Sequence, residues 1–298
     1  MENPKRSSNP EQTGTPVILV EDLVKHYGPH LALKGISFEL HKGEVLGFLG
    51  PNGAGKTTTM RILTCFLAPT SGKVTVAGNN IAENSLAVRQ NIGYLPENTP
   101  LYLDATVLEF LRFAAALRQV DKTRVSQRIR EVSETCGLFE VMGKLVGELS
   151  RGYRQRVGLA QALIHDPPVL IFDEPTSGLD PNQIVEIREL IKKIGQEKTV
   201  ILSTHILPEV QATCSRVVII HEGKLVADGT PGELSARNTD GTCRVVVDAK
   251  ETSSEDVSEK IARIAGVSRV SKLDCEEDAI AFLVSTKESL DPRRDLFS

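Results

Sequence analysis

Residues Val45–Leu49 read VLGFL, and GPNGAGKTT, Gly50 to Thr58, follows at once; this fits the spacing G-x-x-x-x-G-K-[ST]. An apolar run without alternation suits a strand buried on both faces. The apolar-periodic segment Lys56–Phe66 behind the glycines suits a helix. Gly50, Gly53 and Gly55 let the intervening backbone, with Pro51, Asn52 and Ala54, curl so that its N–H groups point inward, and the helix N-terminus adds positive potential. A strand, a tight turn and a helix start in that order form a phosphate cradle. Lys56 then reaches the β- and γ-phosphates, Thr57 is placed to ligate Mg²⁺, and Thr58 lies beside them at the helix start.

Two further stretches carry charge chemistry. In VLIFDEPTSGLD, the acids Asp173 and Glu174 end a strand-like apolar run, at the edge of an α/β sheet where ligands bind. Asp173 suits an outer-sphere contact to Mg²⁺, and Glu174 suits a general base that polarises an attacking water. In ELSRGYRQRVGLAQAL, Ser150 stands at an N-cap position, and Val157, Leu159, Ala160 and Leu163 continue helically. Ser150 and Gly152 at that helix end suit both capping and anion binding.

Composition narrows the class. A net charge of −4 and a pI near 5.9 offer no basic excess to neutralise phosphate backbones, so no nucleic-acid partner is expected. The longest apolar stretches fall far short of the roughly 20 residues that span a bilayer. The N-terminal stretch has no apolar h-region, so it does not read as a secretory signal. Five cysteines lie at least 29 residues apart, an odd count without a C-x-x-C pair, which argues for reduced thiols in a cytosolic protein.

Along the chain, β-type runs (Val17–Leu23, Gly35–Leu40, Val45–Leu49) come first, a strand-like piece Ile92–Leu95 runs into Pro96, and helical spacing extends from Thr106 to Cys136, first as an apolar stripe and then as a charged amphipathic piece around Arg124–Val132. Then Val169–Phe172, Thr199–Leu202 and Val217–Ile220 alternate with helical stretches such as Gln183–Ile194, which implies a parallel sheet covered on both faces. A turn at His221–Lys224 reads as a hairpin leading into Leu225–Ala227. After the polar stretch Asn238–Thr242 the pattern restarts, with strands at Arg244–Asp248 and Ile280–Val284 and a helix at Glu255–Ile264. The expected organisation is a disordered arm (1–16), a main α/β domain (17–236) with a helical subdomain at about 98–165, a small α+β unit (240–286) and a tail (287–298).

A P-loop, LSRGYRQR, LIFDEP, SGLD (Ser177–Asp180) and STH (Ser203–His205) stand in the order and spacing of ATP-binding-cassette ATPases. The chain resembles the nucleotide-binding subunit of an ABC transporter over about Val17–Ala236. The LSRGY signature, the GYLPE loop and the separate C-terminal unit resemble the branch that serves ABC-2-type permeases, including multidrug exporters and gliding-motility-associated ATPases. The resemblance implies an α/β P-loop NTPase fold with an antiparallel β subdomain and a helical subdomain. It also implies that Tyr27 stacks on adenine and that His205 contacts the γ-phosphate and the catalytic water. The working unit it implies is a homodimer or heterodimer, in which Ser150 and Gly152 of one subunit close over ATP on the other while Asp180 runs along the seam.

The resemblance implies an ATP-hydrolysing motor on the inner face of the cell membrane, held there by an ABC-2-type transmembrane permease and driving export. The rival class is a soluble ABC ATPase acting on nucleic acid or ribosomes. Such proteins usually carry two cassettes or a long coiled-coil insert, and this sequence has neither. Two residues depart from the commonest pattern: Arg151, where the signature usually has glycine, is expected to point to solvent, and Glu97 stands where most of the family has glutamine. Glu97 lies between Pro96 and Pro100 in a rigid loop and is expected to act with Mg²⁺, coupling its occupancy to the position of the helical subdomain.

Overall fold

The computed structural model describes residues 14–237, 242–248, 254–264, 267–273 and 279–286. The chain divides into two compact units, Met1–Pro231 and Gly232–Ser298, ahead of the boundary read from the sequence at 236. The expected tail and most of the expected arm lie outside the described residues.

The first unit opens with β1 (Ile18–Tyr27) and β2 (His30–Leu40), an antiparallel pair that runs longer than the sequence runs suggested. Next come β3 (Val45–Leu49), buried at every position, and α1 (Lys56–Leu63). The helix stops short of the expected Phe66 because Cys65 takes the left-handed conformation (φ 58°). β4 (Ser71–Val76), the two-residue β5 (Asn79–Asn80) and α2 (Ser85–Gln90) follow, none of them anticipated. β6 (Ile92–Leu95) matches its sequence run.

Between β6 and the next core strand lies the helical insert. Its first helix, α3 (Val107–Leu117), starts at a capping box: Glu109 N–H donates to Thr106 Oγ1, and Thr106 N–H donates to Glu109 Oε2. Such a cap stabilises a helix by about 1 kcal/mol. The continuous helical spacing to Cys136 resolves into two helices, α3 and α4 (Val125–Cys136). The break follows from Gln119 at φ 56° and from Asp121, whose carboxylate accepts from the N–H and hydroxyl of Thr123. α5 (Arg151–Leu163) then begins at Ser150, as its sequence suggested.

The rest of the unit alternates strand and helix: β7 (Val169–Asp173), α6 (Pro181–Gly195), β8 (Thr199–Thr204), α7 (Leu207–Thr213), β9 (Arg216–His221) and β10 (Lys224–Gly229). A six-stranded sheet in the order β10-β9-β3-β8-β7-β6 is parallel except for the β9–β10 hairpin. A separate antiparallel sheet has the order β2-β1-β4-β5. One core joins the two sheets: Phe38 of β2 meets Phe48 of β3 with ring centroids 5.5 Å apart, and Met60, Ile62 and Leu63 of α1 are fully buried beside them. Apolar area is what holds these layers together.

α8 (Pro231–Arg237) begins at the divide. The second unit is a three-stranded antiparallel sheet of β11 (Thr242–Asp248), β12 (Val267–Leu273) and β13 (Ala279–Thr286), with β13 central and α9 (Ser254–Ala262) between β11 and β12 in the chain. Ile261, Phe282 and Val284 form its core, with Val257 packed against them. The expected Ile264 lies just beyond the helix.

Gly93 in β6 marks the tightest contact of the insert with the sheet. A Cβ there would lie 2.2 Å from the backbone oxygen of Ala162 in α5 and 2.6 Å from Leu170 Cδ2. Gly93→Ala is expected to destabilise the chain by roughly 1–3 kcal/mol through overpacking. Urea unfolding of the full chain measures this as a lowered midpoint, and an unchanged midpoint would contradict the close approach.

Candidate functional site

Parallel pairing places three strand ends side by side. Leu49 at the end of β3 is in register with Thr204 of β8, and Asp173 at the end of β7 is in register with Ser203. The glycine turn after β3, the acid pair after β7 and His205 after β8 therefore emerge at one edge, where α/β sheets bind ligands. The turn, Glu174 and His205 line a cleft of about 500 Å³ together with Tyr27, His30 and Glu97, and Asp173 lies buried behind Glu174 and Thr57.

The turn is shaped by its glycines. Gly55 has φ 111°, which ordinary side chains avoid, and a Cβ on Gly50 would lie 2.3 Å from the backbone oxygen of Ile220. Lys56, 5% exposed, is held inside this frame by two hydrogen bonds and one ion pair. Nζ donates to Gly50 O at 2.8 Å and to Pro51 O at 3.2 Å, and it pairs with Glu174 Oε1 at 3.2 Å. Glu174 Oε2 lies 2.9 Å from His205 Nδ1, so lysine, glutamate and histidine form one connected row.

Glu174 has an uncommon backbone, φ 49°, for a residue with a long side chain. Its N–H is held by both the carbonyl and the hydroxyl oxygen of Ser203, each at 3.1 Å. Holding a non-glycine residue there costs on the order of 1–3 kcal/mol, a strain typical of sites whose geometry matters. The Ser203 hydroxyl also donates to Asp173 Oδ1 at 2.5 Å, so one serine positions both acids. Ser203 was visible in the STH motif, but its role depends on a strand pairing that no local pattern reveals.

Asp173 is fully buried. Burial pushes its carboxyl above the ordinary value of 3.8, against the pull of the Ser203 and Thr57 hydroxyls, and the neighbouring charge of Glu174 raises it further. Thr57 Oγ1 donates to Asp173 Oδ1 at 3.3 Å, while Asp173 Oδ2 is buried without a hydrogen-bond partner. An orphaned carboxylate oxygen beside a threonine hydroxyl is a hard-oxygen donor set that fits Mg²⁺. Among the described residues no cluster of three or more His, Cys, Asp or Glu side chains could hold a metal, so a cation here would share its coordination with phosphate oxygens.

The remaining expected residues fall in two places. Tyr27 ends β1, is 43% exposed, and has the Lys25 ammonium 5.4 Å from its ring centre. Glu97 is exposed in the loop after β6 and lines the cleft. The Tyr94 phenol just before it is pushed up to about 12, first by burial and then by the charges of Asp173 and Glu97. Ser150 and Gly152 do not line this cleft. Ser150 Oγ caps α5 by accepting from Tyr153 N–H at 3.4 Å, and Gly152 sits so close to Gln183 that a Cβ would lie 2.7 Å from its Cδ. Asp180 caps α6 through Gln183 N–H.

Arg151 is exposed, as expected, but its guanidinium is also tied down. Its Nη2 donates to Ser177 O at 2.8 Å, because the loop after Glu174 offers a free carbonyl within reach of the first turn of α5. Sequence reasoning also passed over His30, in HYGPH, and Ser177, in SGLD, as residues of the cleft.

Asp173→Asn removes a carboxylate that is costly to ionise in the folded state. A raised folded pKa means stability that is present at low pH and lost as pH rises through that value. Asp173→Asn is therefore expected to raise the unfolding midpoint at neutral pH, with the gain shrinking as pH falls toward 3.8, while abolishing ATP turnover. Thermal unfolding across pH checks the first part; a lower midpoint at neutral pH would refute it.

Residues 33–177 match the ABC transporter family. The chain is 40% identical over 224 residues to the bacitracin transport ATP-binding protein BcrA of Bacillus licheniformis, covering 74% of this chain and 72% of that protein. It is 37% identical over 222 residues to the linearmycin resistance ATP-binding protein LnrL of Bacillus subtilis (strain 168), covering 74% and 71%. The solved structure of cbiO1 from Clostridium perfringens, part of the ABC transporter complex cbiONQ, superposes with a TM-score of 0.69 at 29% identity, over 83% of this chain and 94% of that one. With the phosphate cradle, the acid pair and the histidine at one sheet edge, these likenesses establish that the chain belongs to the ATP-hydrolysing, ATP-binding subunits of ABC transporters.

Proposed function

We propose that this chain is the motor of an exporter, working as a dimer of ATPase subunits on an ABC-2-type permease at the inner face of the cell membrane. The observation that carries the catalytic part is the Lys56–Glu174–His205 row. The lysine is paired with the same carboxylate that would serve as base. An arriving γ-phosphate is a stronger partner for the ammonium than one carboxylate oxygen, so Lys56 turns to ATP and Glu174 is freed.

Glu174 then accepts a proton from water as the water oxygen attacks the γ-phosphorus, and the bond to the β–γ bridging oxygen breaks to give ADP and phosphate. His205, held on Glu174, orients that water and the γ-phosphate. The backbone from Gly50 to Thr58 wraps the phosphates and Tyr27 stacks on adenine. Thr57 and Asp173 would hold Mg²⁺, with Glu97 beside them at the cleft, and the cation would supply charge that offsets that of the phosphates. A second subunit closes over the ATP with its own signature turn, corresponding to Ser150–Gly152; that Ser150 and Gly152 do not line the cleft of their own chain supports this.

An apolar groove of about 650 Å³ supports docking. Tyr102, Leu103 and Phe113 lie exposed around it, with the Tyr102 and Phe113 rings 5.2 Å apart edge to face. It lies on the insert, just after the Glu97 loop, and suits the apolar face of a short helix from a membrane partner. No helix among the described residues is long and apolar enough to cross a membrane. The names of the bacitracin and linearmycin relatives favour export.

Glu174→Gln is expected to bind ATP normally, to hydrolyse it about 100-fold or more slowly, and to accumulate as a dimer on size exclusion; normal turnover would remove Glu174 as the base. Tyr102→Glu is expected to keep ATP binding but to lose co-purification with a permease encoded beside this chain. Undiminished co-purification would move the docking surface elsewhere.

A further inference from the structure

The first turn of α5 grips the loop that carries Glu174 at two points. Arg151 Nη2 donates to Ser177 O at 2.8 Å, and Gln155 Nε2 donates to Pro175 O at 2.7 Å. Arg151 and Gln155 are four residues apart and so stand on one face of the helix. The guanidinium lies against Gly178: a Cβ built there would fall 2.3 to 2.5 Å from Cζ and both terminal nitrogens. Gly178 is left-handed (φ 69°), and its missing side chain is the seat for the arginine.

The grip reaches the acid through a single turn. Ser177 N–H donates to Glu174 O at 3.0 Å, so the peptide whose carbonyl Arg151 holds is one turn from the carboxylate residue. Glu174 is itself in an uncommon backbone conformation, maintained from the other side by Ser203. A helix end and a strained residue are thereby joined by two hydrogen bonds in series, with the Gln155–Pro175 bond beside them, and none of the three involves a reacting atom.

We infer that Arg151 is a positioning residue that couples the signature end of α5 to Glu174. It acts through the Ser177 carbonyl and the Gly178 seat, so that nucleotide engagement at one site of the dimer is felt at the base of the other. This rests on the dimeric reading above. Coupling free energy between sites is reciprocal, and cooperativity in ATP is its measurable form. Glycine, the usual residue at this position, cannot make the contact, so the latch belongs to chains with a guanidinium here. Lysine carries the charge but lacks the planar fork that covers Gly178.

The test uses the full-length chain and three variants, Arg151→Gly, Arg151→Lys and Gly178→Ala, the last lifting the guanidinium from its seat. Arg151→Gly is expected to lower kcat by roughly 5-fold or more, the lower range of coupling between sites. The Hill coefficient for ATP should fall toward 1, while ADP affinity and the unfolding midpoint hold. Gly178→Ala should reproduce this, the double variant should add nothing further, and Arg151→Lys should not rescue. Amide exchange of residues 174–178 in the ATP-free chain should quicken in Arg151→Gly. Unchanged exchange overturns the contact. Faster exchange with unchanged kcat and Hill coefficient overturns the coupling, as does full rescue by lysine or a loss of ADP affinity in parallel. Failure of the dimeric ATPase reading shows separately, as wild-type hydrolysis that is absent or insensitive to Glu174→Gln.

Discussion

Parallel pairing of β3, β8 and β7 is the constraint on which the site depends. Each strand is buried at every residue, so each is fixed by apolar packing on both faces and by its ladder on both sides. A shift of one residue would send every side chain to the opposite face. With the register locked, the residues just past the strand ends have little freedom to separate, and lysine, acid pair and histidine are brought within reach of one another. The polar chemistry is a by-product of an apolar sheet.

Inside that frame the charges are arranged to be exchanged. The Glu174 carboxylate, Lys56 ammonium and His205 imidazole are paired with one another, and Asp173 is buried where its negative charge is poorly solvated. Groups that cost free energy in the resting chain are the ones a phosphate and a cation can relieve. Binding energy is thus available at the places where chemistry follows.

The fold and site were legible where information is local. The glycine spacing, the acids after an apolar run, Ser150 as a cap and the run Ile92–Leu95 are all patterns within a dozen residues, and they were read correctly. The polar strand SGKVTV with its short partner was missed because three of its six side chains are exposed and give no alternation strong enough to see. The break near Gln119 escaped because it arises from a left-handed residue that carries no sequence mark. The orientation of Arg151 and the double duty of Ser203 are tertiary facts, set by which carbonyl or amide a distant segment brings within reach.

Two glycines give the insert a mechanical character. Gly93 of β6 admits Ala162, and Gly158 of α5 has no room for a side chain beside Leu95 and Thr99, where a Cβ would lie 2.7 and 2.8 Å from their methyl carbons. Helix and strand are therefore seated backbone against backbone over one turn, and β6 leads directly into Glu97 while α5 begins at Ser150. From Gly158 to Ser150 is about 12 Å at 1.5 Å per residue, so a tilt of about 5° moves the free end by roughly 1 Å. That pair is a short, stiff lever: β6 and α5 are seated so closely that one moves only with the other.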